Sequence, residues 1–133
     1  MAETWIVVAD GGGARIFEEH HRLGPLSERR DLMLESREDR GQTPSHRRGG
    51  DGDPADRAER RFLSLVAAVL DAGEASKAFQ NLVVVAPPRA LGVLRSGLSL
   101  ATARRIELCD PHDARVLDVD ALEARLRRLR AEA

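Results

Sequence analysis

A short apolar run that ends in a glycine-rich turn constrains the start of this chain to a β-hairpin. The run covers residues 5–9, the turn Asp-Gly-Gly-Gly covers residues 10–13, and a second apolar pair, Ile-Phe, stands at 16–17. Asp-Gly and Gly-Gly pairs readily adopt the positive φ angles that tight hairpin turns require. The sequence therefore predicts a strand over 4–9 and an antiparallel strand over 14–19.

The hydrophobic pattern after the hairpin predicts alternating helices and strands. Asp53 and Pro54 favour a helix start, with aspartate as the N-cap and proline in the first turn, and Gly73 is expected to end that helix. Asp120 and Glu123 have the spacing of a capping box for a terminal helix. The predicted elements are a third strand over 28–35, a helix over 55–72, a strand over 81–86, a short helix from 87–88, a strand over 105–109 and a helix from 120.

This order, β-β-β-α-β-α-β-α, predicts an α/β fold. Three meandering strands followed by crossovers favour a mixed five-stranded sheet with helices on its faces. The strand at 81–86 is apolar at successive positions, which is typical of a strand covered on both faces. This outline is that of a ribonuclease-H-like fold. The length of the chain, 133 residues, predicts a single domain over 1–133.

Composition excludes several classes of function. The formal net charge is −1, which gives no global argument for a nucleic-acid partner, and the absence of tyrosine argues against a base-stacking single-strand binder. The single cysteine, Cys109, excludes an internal disulfide and favours a cytoplasmic location for the protein. The start of the chain lacks a signal-peptide pattern, and no apolar run approaches the roughly 20 residues of a membrane span. No cofactor is predicted.

Three segments resemble the bacterial host attachment family, named for attachment to host cells. They are residues 5–17, which contain Ala-Asp-Gly-Gly-Gly-Ala-Arg-Ile-Phe, the helix at 55–72, and residues 82–92, which contain Val-Ala-Pro-Pro-Arg-Ala-Leu-Gly. The family is also similar to the middle domain of archaeal and eukaryotic class-1 peptide-chain release factors. In that domain a Gly-Gly-Gln loop follows the third strand and precedes a long helix.

The loop at 36–54 occupies the corresponding place here and is the main candidate contact surface. Neither of its glycine motifs, Arg-Gly-Gln at 40–42 and Arg-Arg-Gly-Gly-Asp at 47–51, is Gly-Gly-Gln. Its arginines are of the type that holds phosphates, although a solvated loop is the simpler interpretation. The candidate contact residues are Arg37, Arg40, Gly41, Gln42, His46, Arg47, Arg48, Gly49 and Gly50.

Asp10 is a weak candidate metal ligand. In ribonuclease-H-like nucleases a carboxylate on the first strand binds Mg²⁺, and Glu107 and Asp110 would be its partners here. The simpler interpretation is that Asp10 belongs to the turn. His20 and His21 are adjacent, so on a strand they would point to opposite faces and would not share an ion.

The sequence favours a non-enzymatic interaction domain of the host attachment family that uses the 36–54 loop. An RNA- or ribosome-associated factor is the first alternative, and a metal-dependent nuclease centred on Asp10 is the second. The partner is therefore an unknown protein or the ribosome and its RNA. The unpaired edge of the meander leaves a homodimer open, since such edges invite pairing.

Overall fold

The computed structural model describes residues 2–36 and 54–133, which form one mixed sheet with helices on both faces. The strands are β1 (Thr4–Asp10), β2 (Gly13–Glu19), β3 (Leu26–Glu28), β4 (Leu34–Glu35), β5 (Asn81–Val85) and β6 (Ile106–Asp110). The helices are α1 (Pro54–Ala75), α2 (Pro88–Gly97), α3 (Leu100–Ala103) and α4 (Val119–Glu132).

The strand order is β3-β2-β1-β5-β6, and β4 also pairs with β2. Strands β1 and β2 form the predicted hairpin, antiparallel from Thr4 opposite Glu19 to Asp10 opposite Gly13. Strand β5 lies parallel to both β1 and β6. The α/β class and the mixed sheet are confirmed. The carboxyl ends of β1, β5 and β6 consequently lie on one edge of the sheet.

Two apolar layers cover the sheet, which explains the continuous apolar runs of β1 and β5. On one face, Trp5, Val7 and Ala9 of β1 pack with α1 and α2. On the other face, Ile6 and Val8 pack with α4. The apolar side chains that α1 contributes are Phe62, Leu63, Val66, Ala67 and Leu70.

The predicted third strand over 28–35 is instead three short pieces. Strand β3 ends at Glu28, a 3₁₀ turn covers Arg30–Leu32, and β4 has only two residues. The guanidinium of Arg29 donates to both oxygens of Asp31, at 2.9 and 2.7 Å, which draws this segment into a turn. Arg29 also donates to Glu18 on β2, so the turn is fixed to the sheet.

Several predicted ends are also displaced. Helix α1 continues past Gly73 to Ala75. Gly73 therefore lies inside the helix, where the Trp5 ring occupies the space that a side chain would need. Helix α4 begins at Val119 with Asp118 as its N-cap, since the Asp118 carboxylate accepts from the amide of Ala121 at 2.8 Å. Strand β2 ends before His20, so the two adjacent histidines lie in a turn.

Candidate functional site at the carboxyl edge of the sheet

The candidate contact residues Arg37, Arg40, Gly41, Gln42, His46, Arg47, Arg48, Gly49 and Gly50 lie outside the described residues. The two ends of their segment are described. The amide of Ser36 donates to the carbonyl of Gly12 at 3.0 Å, and α1 begins at Pro54. A Cβ at Gly11 would lie 2.6 Å from Oε2 of Glu59 on α1, so the helix passes close to the turn. The residue at one end of the segment is therefore bonded to the glycine turn, and the helix that follows the segment approaches the same turn through Glu59.

Arg89 connects the second sequence motif to the same edge. The proline pair at 87–88 ends β5 and starts α2, which places Arg89 in the first turn of that helix. Its guanidinium lies 2.7 Å from Oδ1 of Asp56 and 3.5 Å from Oε1 of Glu59. These ion pairs are partly exposed and contribute little to stability; they show that the first turn of α2 lies next to the start of α1. The motifs at 9–17 and 85–92 thus meet around Glu59.

Asp10 holds the turn together. Its Oδ1 accepts the amides of Gly12 and Gly13 at 2.8 and 2.9 Å, and its Oδ2 accepts from Nε of Arg115 at 2.9 Å. A side chain at Gly13 would displace the Arg115 guanidinium from its present position. Both carboxylate oxygens are therefore used in hydrogen bonds that fold the edge.

Arg15 fixes the same connection from the neighbouring strand. It donates to both carboxylate oxygens of Glu28 at 3.0 Å and to the carbonyls of Arg115 and Leu117, each at 2.8 Å. The hydrogen bonds to Glu28 raise the pKa of the Arg15 guanidinium against the opposing effect of burial. Asp10 and Arg15, the two charged residues of the first motif, therefore both fasten the connection between β6 and α4.

Asp110, the last residue of β6, anchors that connection at its other end. The side chain is 1% exposed; Oδ1 lies 2.6 Å from Nδ1 of His112, and Oδ2 lies 2.5 Å from Nε of Arg125. Burial raises the pKa of the Asp110 carboxyl, but the hydrogen bonds and charges of Arg125 and His112 outweigh it, so the pKa is lowered. A buried aspartate thus stays ionised beside an exposed histidine.

Each carboxylate proposed for a metal site instead pairs with its own set of basic side chains. Asp10 binds Arg115, Asp110 binds Arg125 and His112, and Glu107 binds Arg22 and Arg130. Over residues 2–36 and 54–133, no group of three His, Cys, Asp or Glu side chains is arranged to hold a metal ion. These described contacts therefore give no support to a nuclease centred on Asp10.

Cys109 and His20 both make contacts that are part of the fold. The Cys109 side chain packs against the core beneath α1 and α2, and burial raises the pKa of its thiol. His20 is exposed, with Nε2 3.4 Å from Oε1 of Glu18. The contact between Asp110 and His112 was not predicted from the sequence. The available signal was the aspartate at the end of an apolar strand with a histidine two residues later.

The family comparison supports the resemblance seen in the sequence. The model of the family described as "Protein required for attachment to host cells" matches residues 5–126. The chain belongs to this host attachment family. A comparison with curated proteins finds no match.

The match includes the glycine turn, Arg89 and Asp110, so the edge described above lies within the family segment. In the part of this host attachment protein that the structure describes, every helix is too short or too polar to pass through a bilayer.

Proposed function

We propose that this host attachment protein is a non-enzymatic interaction domain whose contact surface is the segment at 36–54. The observation that carries the proposal is the position of the segment's ends. Ser36 is bonded to the glycine turn, and Pro54 starts the helix that passes over the same turn. These two ends support presentation of the segment at the sheet edge where both family motifs meet.

The surroundings of the segment support a contact role over a catalytic one. Asp10, Arg15 and Asp110 use their polar atoms to hold the edge in shape. Binding loops are commonly presented by rigid scaffolds of this kind, because the scaffold fixes where the loop begins and ends. The arginines of the segment would supply planar donors for carboxylates or phosphates on a partner.

An attachment assay tests the contact role directly. Cells of the source organism that lack the chain would be complemented with the parent or with a variant carrying Arg37→Ala, Arg40→Ala, Arg47→Ala and Arg48→Ala. A matched control replaces four exposed arginines elsewhere, Arg95, Arg104, Arg127 and Arg128, by alanine. We expect the parent and the control to restore attachment and the segment variant to fail. Equal restoration by both variants would refute the contact role.

Filter binding distinguishes a protein partner from RNA. Purified parent protein would be titrated with transfer RNA and with ribosomes over a series of salt concentrations. Binding through arginines to phosphates weakens steeply as salt rises. Salt-sensitive retention that the segment variant loses and the control keeps would favour the RNA-associated alternative.

We also infer that the domain is ribonuclease-H-like and related to the release-factor middle domain. The support is the strand order, in which an antiparallel meander of β1 to β3 is extended at β1 by the parallel strands β5 and β6. Superposition of the sheet and helices on representatives of both folds tests this classification. A different strand order would exclude it.

A further inference from the structure

The Asp110–His112 contact fixes which ring nitrogen of His112 carries a hydrogen. Nδ1 lies 2.6 Å from Oδ1 of Asp110, and the His112 amide also donates to the Asp110 carbonyl at 2.9 Å. An ionised carboxylate only accepts hydrogen bonds, so Nδ1 must be the donor. In the neutral ring the lone pair therefore lies on Nε2.

The buried, ionised carboxylate keeps the hydrogen of the neutral His112 ring on Nδ1. Asp110 is 1% exposed, and Arg125 binds its second oxygen, which keeps the group ionised. The His112 side chain is 66% exposed. The remaining charged groups on this connection are Asp113, which accepts weakly from the Arg115 amide at 3.4 Å, Arg115, which is bound to Asp10, and Asp118, which caps α4. The histidine is thus held at one nitrogen, and its side chain is largely open to solvent.

An exposed Nε2 lone pair can serve as a metal ligand, a general base or a nucleophile. No metal-binding group of three side chains occurs in residues 2–36 and 54–133, which argues against the first role. A general base acts on a substrate held within hydrogen-bond reach. The depression lined by Glu19, Leu26, Leu126 and Arg130 does not include His112. A nucleophile that meets its donor at the open surface needs no such pocket.

We propose that His112 is a phosphoryl-accepting site that reacts through Nε2 with small P–N or acyl-phosphate donors. With phosphoramidate, the Nε2 lone pair attacks phosphorus and a new N–P bond forms. The P–N bond of the donor breaks, and its ammonio group leaves as ammonia with the bonding electron pair. Nδ1 keeps its hydrogen, and the ring becomes cationic. Asp110 compensates that charge, so it acts as a positioning residue.

Phosphoramidate treatment of the full chain tests this site, with the other exposed histidines as internal controls. The rate of phosphoryl incorporation would be followed for His112, His20 and His21 by peptide mass spectrometry at alkaline pH. We expect His112 to react fastest, with ³¹P resonances of an Nε2 linkage. His20 makes its carboxylate contact through Nε2, so it lacks this arrangement. Equal rates at the three histidines, or an Nδ1 linkage at His112, would overturn the proposal.

The variant Asp110→Asn tests the positioning role. We expect its rate at His112 to fall at least about tenfold, which corresponds to the loss of one hydrogen bond to a charged group, with His20 and His21 unchanged. Because this variant leaves Arg125 without its partner, its folding would be checked by circular dichroism. Should it unfold, ¹⁵N NMR of the parent decides the tautomer. A hydrogen on Nε2 of the neutral His112 ring would contradict the proposal.

Discussion

Glu19 and Arg130 form an ion pair that is almost completely removed from water. The two guanidinium NH groups donate to the two carboxylate oxygens at 2.8 Å, and the side chains are 1% and 8% exposed. Burial disfavours ionisation of Glu19, but the hydrogen bonds and charge of Arg130 outweigh it, so the pKa of Glu19 is lowered. Removing Arg130 alone leaves the Glu19 carboxylate buried without its cation, whereas Glu107, the other carboxylate that Arg130 binds, keeps Arg22.

The variant Arg130→Met should therefore lower the free energy of unfolding by about 3–5 kcal/mol, the usual cost of breaking a buried pair. Adding Glu19→Gln should recover part of the loss, because the uncompensated charge is then absent. Urea denaturation followed by circular dichroism measures both variants. A loss below about 1 kcal/mol for Arg130→Met would contradict the buried pair.

Two substitutions at Asp10 distinguish its hydrogen bonds within the turn from its ion pair with Arg115. Asp10→Asn keeps an acceptor for the amides of Gly12 and Gly13 but weakens the partly exposed contact with Arg115, so it should cost less than about 1 kcal/mol. Asp10→Ala loses all three hydrogen bonds and should cost about 1–3 kcal/mol. Thermal unfolding compares them. Equal costs would mean that the turn does not depend on the Asp10 oxygen.

Helix α1 contains a glycine where the core leaves no space. A Cβ at Gly73 would lie 2.7 Å from the Trp5 ring and 3.0 Å from Phe79, whereas a Cβ at Gly92 on α2 meets nothing within 4 Å. We expect Gly73→Ala to destabilise by about 1–3 kcal/mol through overpacking. Gly92→Ala should stabilise by about 0.5–1 kcal/mol because alanine favours a helix. Urea midpoints of the two variants test this, and shifts of the same sign would refute it.

Strand β5 lies between the two apolar layers, so a charge there has no route to water. Val84 is 0% exposed, whereas Val116 on the connection after β6 is 90% exposed. Val84→Asp should remove the cooperative thermal transition, since an unpaired buried carboxylate costs several kcal/mol. Val116→Asp should leave the transition nearly unchanged. A parental transition in Val84→Asp would show that the strand is not central.

Across the whole molecule, local signals predicted most of the elements, but not the division of the third strand or the short helix α3, and contacts between residues distant in sequence decided the rest. The alternation of apolar segments and turns at 5–17 and 82–86 was sufficient for the hairpin and the central strand. The glycine at 73 lies inside α1 against Trp5, which is distant in sequence, so the local pattern misread it as a helix end. The arginine partners of Asp10 and Asp110 are likewise remote or on another element, so no local pattern predicted that these carboxylates hold the edge.

The acid stability of the molecule should reflect the arginine-bound carboxylates beside α4. For Glu107, burial opposes ionisation, but Arg130 and Arg22 outweigh it and lower its pKa, and Glu19 and Asp110 are lowered in the same way. In the unfolded chain these groups return to the usual values of 4.5 and 3.8. The unfolded state then binds more protons, so stability is fully present above these values.

We therefore expect the free energy of unfolding to be nearly constant around neutral pH and to fall as the pH drops through 4.5 and 3.8 towards the lower pKa values of the folded state. Glu107→Gln removes one of the titrating groups and should make the acid-side fall shallower. Glu132→Gln, at the exposed end of α4, should keep the parental slope. Urea midpoints measured over a pH series report these slopes. Stability that rises on acidification, or a Glu107→Gln slope equal to that of the parent, would show that these ion pairs do not cause the loss of stability at acidic pH.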